Sequence, residues 1–322
     1  MQNTTIKILL KITLTLLVIG FLVGYIIYNW EQLQNLNRLQ FQDLAGMYLL
    51  CLVQMALTSI CIQRILHSLE VRIGFGEMFM LHNSTLLLNY VPMQFGTLFR
   101  AAYLKKRFGF SYTNFVAFFL YLTVMMLFCS VFAGEVILVS VYGLEQLSHK
   151  IIAIIFTLII LFCLIALFCP LPVPKHETRL TYWLNRFLMG RNQICRDRST
   201  VMVCAVMLLI SYVCVALRLW LLYHSLGQSV NPAGFFLLGS LGYIAIFVSL
   251  TPGGLGVREL ILAGGAMILD IPFEIGAVAV LIDRAVLLSY AVVMGGISTT
   301  VLWPRAHLDK QTIMSTGKDK NL

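Results

Sequence analysis

The chain has 322 residues, of which 59% are hydrophobic and only 11% charged, and its mean hydropathy is +0.87. A soluble domain carries roughly 25% charged residues, so a water-facing surface is excluded, and the long apolar runs predict membrane helices rather than a barrel. The net charge of +9 is spread over short loops between those runs, where it fits membrane topology and anionic lipid headgroups better than nucleic acid.

Lys7 and Lys11 precede an apolar run reaching Tyr28. Only Asn29, Trp30 and Glu31 follow it, with no small-residue cleavage site, so it reads as an uncleaved first span with a cytoplasmic N-terminus. A second span is predicted over about 44–63, ending at Arg64 and Arg72. Residues 78–104 are largely apolar but interrupted by Asn83, Asn89, Pro92, Gln94, Gly96 and Arg100, and they end at Lys105, Lys106 and Arg107. With both ends cytoplasmic, this segment enters the membrane and returns without crossing.

Spans over about 112–141 and 151–168 come next. The loop 170–200 holds Lys175, Arg179, Arg186, Arg191, Arg196 and Arg198, the strongest positive-inside signal in the chain. Leu180, Trp183, Leu184, Phe187 and Leu188 predict an interfacial helix within it. A span over about 201–223 follows and contains Arg218. The apolar segment 235–269 is broken by SLTPGGLGVREL, Ser249 to Leu260. A last span over about 275–303 carries Asp283 and Arg284, and the basic tail 304–322 is expected in the cytoplasm.

The expected fold is an all-α polytopic membrane protein of two inverted halves, residues 1–142 and 143–303. It has six full spans plus two re-entrant broken helices, or eight spans if the broken pieces cross. The two breaks share a local pattern, Asn89-x-x-Pro92-x-x-x-Gly96 and Ser249-x-x-Pro252-x-x-x-Gly256, each followed by an arginine, Arg100 or Arg258. Interrupted helices at matching positions of inverted repeats point to a transporter's binding site.

The chemistry of the second break is specific. Pro252 cannot donate a backbone hydrogen bond, and Gly253, Gly254 and Gly256 can adopt turns closed to other residues. A helix starting near Val257 aims free N–H groups at that turn, an arrangement suited to a phosphate, and Arg258 adds a charge-assisted contact. Alternatively, the glycines serve close helix packing and Arg258 pairs structurally. Neighbours on a helix point about 100° apart, so neither Arg258 with Glu259 nor Asp283 with Arg284 pairs directly. Glu259 with Arg284, or Arg258 with Asp283, is the economical solution, as a structural network or as a substrate or proton site. In the first half, Arg100 is either a phosphate contact with Asn89 and Gln94 beside it, or a member of the basic cluster. Arg218 and Glu135 read as isolated charges that snorkel to the interface.

TPGGLGVRE, with the upstream N-x-x-P-x-x-x-G-x-x-x-R, resembles the flippase-like membrane region of lysylphosphatidylglycerol synthases, over roughly Lys7 to Trp303. In two-part members that region moves an aminoacylated phospholipid between leaflets, and a separate soluble domain makes the lipid. With only a short tail after the last span, the resemblance implies the flippase part without the transferase. Gln94 and Thr97 stand where the family often has Arg and Glu, and Leu122-Thr123 replaces a frequent Glu-Arg pair, so lysyl-lipid specificity is not carried over.

Other chemistries find no pattern here. The six histidines are scattered, and neither H-E-x-x-H, G-x-S-x-G nor a Walker lysine occurs. The eight cysteines lie mostly in apolar runs without C-x-x-C spacing and read as buried hydrophobes. The expectation is therefore a non-enzymatic protein of the bacterial or archaeal cytoplasmic membrane, with both termini cytoplasmic and no cofactor or metal. It translocates an anionic phospholipid or lipid-linked envelope precursor. The competing expectations are a non-transporting accessory subunit of an envelope-biosynthesis enzyme and a membrane-embedded head-group transferase.

Overall fold

A computed structural model describes residues 40–90, 95–168, 179–248 and 257–302. The expected first span, the two turns of the breaks and the basic tail lie outside the described residues. Those described are helical, with no strand among them. In chain order the helices are α1 (Phe41–Ser68), α2 (Phe75–Leu88), α3 (Phe95–Phe108), α4 (Tyr112–Ile137), α5 (Leu147–Phe168) and α6 (Arg179–Arg196). They continue as α7 (Arg198–Ser225), α8 (Gly234–Val248), α9 (Val257–Ala266) and α10 (Phe273–Tyr290). A π-helical turn, Leu138–Tyr142, prolongs α4, and another, Ala291–Gly295, carries α10 on to Leu302.

Five of these helices are long and apolar enough to cross a membrane: Phe41–Ser68, Tyr112–Tyr142, Leu147–Phe168, Arg198–Ser225 and Phe273–Leu302. The protein is thus a helical multi-pass membrane protein. Helix α5 shows why water cannot be its solvent. Ile154, Leu158, Leu161, Phe162 and Ile165 are each more than half exposed, a face that only lipid satisfies. A helix is described on each side of residues 91–94 and of residues 249–256, and in each case the flanking helices pack on one another, α2 on α3 and α8 on α9.

The chain forms two compact units. One gathers the chain up to Gln54 with Val124–Ala166 and Leu208–Leu288. Its core closes through small side chains and a buried hydroxyl relay. Ser240 on α8 donates to the Ser130 carbonyl on α4 at 2.7 Å and lies 2.7 Å from the Tyr212 hydroxyl on α7. Gly134 lets α4 approach Ser240 and Phe156 so closely that a Cβ there would collide with both. Interfaces built from small residues and hydroxyls are what membrane helices use when no hydrophobic effect drives them together.

The other unit comprises Met55–Thr123, Leu167–Met207 and the chain from Ser289. Here α2 and α3 are joined along their length by polar side chains. Glu77 accepts from the Tyr103 hydroxyl and pairs with Arg107 Nε at 2.6 Å. Near the break, Asn89 Oδ1 accepts the Thr97 amide at 3.0 Å, satisfying one of the free N–H groups that begin α3. Gly96 sits against the Thr85 carbonyl and 2.7 Å from Asn89 Oδ1, measured from where a Cβ would stand. Gly109, at φ +68°, ends α3, and the Phe110 amide reaches back to the Leu104 carbonyl at 3.3 Å. Asp197 separates α6 from α7 and caps α7 through the Thr200 hydroxyl (2.6 Å) and amide (3.1 Å). Those two bonds hold its carboxyl below the usual range.

Gly96→Ala should lower thermal stability by about 1–3 kcal/mol, because the colliding partner is backbone and the two helices must part. Gly76→Ala, whose Cβ meets nothing within 4 Å, is the control and should leave the melting temperature unchanged or slightly higher. Melting curves of both variants in detergent check this.

Candidate functional site

The charged residues after the second break become a site because α9 is clasped on two sides. Leu238 and Leu241 of α8 close on Gly265, and Leu262 packs over Gly242. On the other side Gly276 of α10 meets Ala266 Cβ at 3.0 Å and the Ala263 carbonyl at 3.1 Å, again from an ideal Cβ position. The sequence AGGA, residues 263–266, thus removes the side-chain bulk that would hold α10 away. The helices run antiparallel from that contact, and one and a half to two turns further on Arg258 and Glu259 face Asp283 and Arg284.

Both cross-pairings form together. Arg284 donates to Glu259 Oε1, and Arg258 Nη2 lies 3.5 Å from Asp283 Oδ2. A fifth charge joins them from α7: Arg218 Nη1 is 3.2 Å from Asp283 Oδ1 and donates to Cys51 Sγ of α1 at 3.4 Å. The expectation that Arg218 snorkels to the interface is wrong. Its side chain is 2% exposed, because seven further residues of α7 separate it from the helix end and a buried carboxylate lies nearer than water does. Glu135 is not isolated either, since Thr157 of α5 donates to it at 2.9 Å.

The cluster holds three guanidiniums against two carboxylates among the described residues. Glu259 and Arg284 balance one another, which leaves Asp283 shared by Arg218 and Arg258. Arg258 has the looser contact and is 17% exposed, against 2% for Arg218. A guanidinium with five donors and one loose ion pair is equipped to take an anion. Pro252, Gly253, Gly254 and Gly256, the expected turn beside it, lie outside the described residues.

The first break is built differently. Arg100 is buried on α3, apart from the exposed Lys105 and Lys106, and so does not belong to the basic cluster. Its Nε donates to Thr85 Oγ1 at 3.1 Å and its Nη2 to His82 Nδ1 at 2.8 Å, both on α2. Arginine cannot accept, so Nδ1 of His82 is the acceptor and its ring proton is on Nε2. Asn89, expected beside Arg100, instead bridges to Thr97, and Gly96 serves the close approach of α2 and α3. Pro92 and Gln94 lie outside the described residues. Sequence reasoning missed His82 and Thr85, whose three-residue spacing on one helix face was the available signal, and it missed Cys51, which had none. No group of three His, Cys, Asp or Glu that could hold a metal occurs among the described residues.

The chain matches the family described as "Lysylphosphatidylglycerol synthase TM region" over residues 8–296, and it belongs to that family. No curated protein matches it.

Because Glu259 is 2% exposed, removing Arg284 takes a counter-charge from a carboxylate held away from water. Arg284→Met should cost about 3–5 kcal/mol and Glu259→Gln a similar amount, while the double variant should recover much of the loss. A thermal double-mutant cycle returning no coupling would make the pair an incidental contact.

Proposed function

We propose that the protein moves an anionic phospholipid, or a lipid-linked anionic envelope precursor, between the leaflets of the cytoplasmic membrane, holding its phosphate at Arg258. The observation that carries this reading is the partly exposed guanidinium of Arg258, which shares its one carboxylate, at 3.5 Å, with Arg218. The family is named for the membrane region of a lipid-modifying synthase, which supports a lipid as the cargo. Free N–H groups at the start of α9 lie next to Arg258 and favour an anion there.

In this reading each broken segment is re-entrant, the halves 1–142 and 143–303 are inverted repeats, and both termini are cytoplasmic. The substrate's hydrocarbon chains stay in lipid while its headgroup passes the break. Arg100, which no carboxylate pairs among the described residues, is the corresponding phosphate contact of the first half. The chain performs no covalent chemistry. Any enzyme partner acts on the lipid before or after transfer.

The test is leaflet-resolved exchange in liposomes made from the host's own lipid extract. Wild type should accelerate exchange of one anionic lipid, and Arg258→Ala should lose that acceleration by about a hundredfold while still folding. Equal exchange with and without wild-type protein would favour the accessory-subunit reading.

A further inference from the structure

Arg218 contributes a full charge that no ligand can reach. It lies on α7 with its side chain 2% exposed, held between Asp283 Oδ1 at 3.2 Å and Cys51 Sγ at 3.4 Å. Asp283 is itself 1% exposed, so its whole charge is spent inside the cluster. Its second oxygen meets Arg258 Nη2 at 3.5 Å, and Arg258 is the more accessible of the two cations. One carboxylate is thus divided between a guanidinium sealed in the core and a guanidinium at the edge of the site.

The consequence is electrostatic. In a poorly screened interior, an Asp283 facing Arg258 alone would cancel its charge and draw the guanidinium inward. With Arg218 on the other oxygen, the triad keeps one positive charge in excess, and that excess is expressed at Arg258. The Glu259–Arg284 pair is neutral and does not change the balance.

We propose that Arg218 is a positioning residue for the anion site. By occupying Asp283 it keeps Arg258 charged in excess and open to a phosphate. This rests on the reading of Arg258 as an anion contact. A purely structural ion pair makes a different demand: losing either partner would weaken function in step with stability, whatever the sign of the charge removed.

The experiment titrates dioctanoyl phosphatidylglycerol into the purified full-length protein in an uncharged detergent, with inorganic phosphate as a parallel titrant, and records melting temperatures without ligand. The proteins are wild type, Arg218→Met, Asp283→Asn, the Arg218→Met/Asp283→Asn double variant and Arg258→Ala. Arg218→Met should bind the lipid at least about tenfold more weakly than wild type. Asp283→Asn should bind it more tightly despite a lower melting temperature. The double variant, with the excess charge restored, should return to within about threefold of wild type. Affinities that follow melting temperature instead of charge, or a double variant as weak as Arg218→Met, overturn the assignment. If phosphate alone reproduces the whole order at equal strength, the charge assignment stands and the lipid reading falls. Wild type that binds the lipid but does not accelerate exchange in liposomes removes translocation and keeps the role of Arg218. Wild type that binds neither titrant overturns both.

Discussion

Asp283 is placed on a membrane-crossing helix with 1% exposure, and a carboxylate so deeply removed from water would cost on the order of several kcal/mol if cations did not meet it. That demand organises the elements around it. It draws Arg218 in from the middle of α7, where the residue would otherwise be an isolated charge in an apolar helix. It also fixes the start of α9, since Arg258 must turn toward α10 to make its contact. The neighbouring pair, Glu259 with Arg284, joins the same two helices.

Two ion pairs between these helices require that the helices approach closely. The stretch Ala263–Ala266 and Gly276 supply this, with Gly242 and Gly265 doing the same on the α8 side. Bulkier residues would leave the charges too far apart to pair, and in lipid nothing else would satisfy them. Packing and electrostatics are thus one design here. The small residues serve the ion pairs, and the ion pairs reward the close approach that the small residues allow.

The two broken segments share an outline and differ in their electrostatics. In the first, Arg100 is met by neutral groups, His82 and Thr85, and the junction near the break is held by Asn89 and Gly96. In the second, the arginine after the break faces a carboxylate whose charge is already shared. Each solution leaves a buried or half-buried guanidinium without a full counter-charge among the described residues. For a chain of a family tied by name to a phospholipid, that is the property a headgroup phosphate would meet.

Composition alone identified a helical membrane protein, because so few charges cannot cover a surface in water. Proline, glycines and charge also mark in the sequence two places where apolar runs are interrupted, and a described helix flanks each place on both sides. Cross-pairing of Arg258 and Glu259 with Asp283 and Arg284 followed from helical geometry, as adjacent residues diverge and must find partners elsewhere. Arg218 was not legible. Its partner lies 65 positions further along the chain, and nothing local distinguishes an arginine that reaches outward to headgroups from one that turns inward to a carboxylate. The same holds for His82 and Cys51, ordinary by sequence until folding sets them against Arg100 and Arg218. Sequence by itself determined which segments are apolar and where they break. Tertiary structure decided which charges meet, because helix register and close packing arise only between segments distant in the chain.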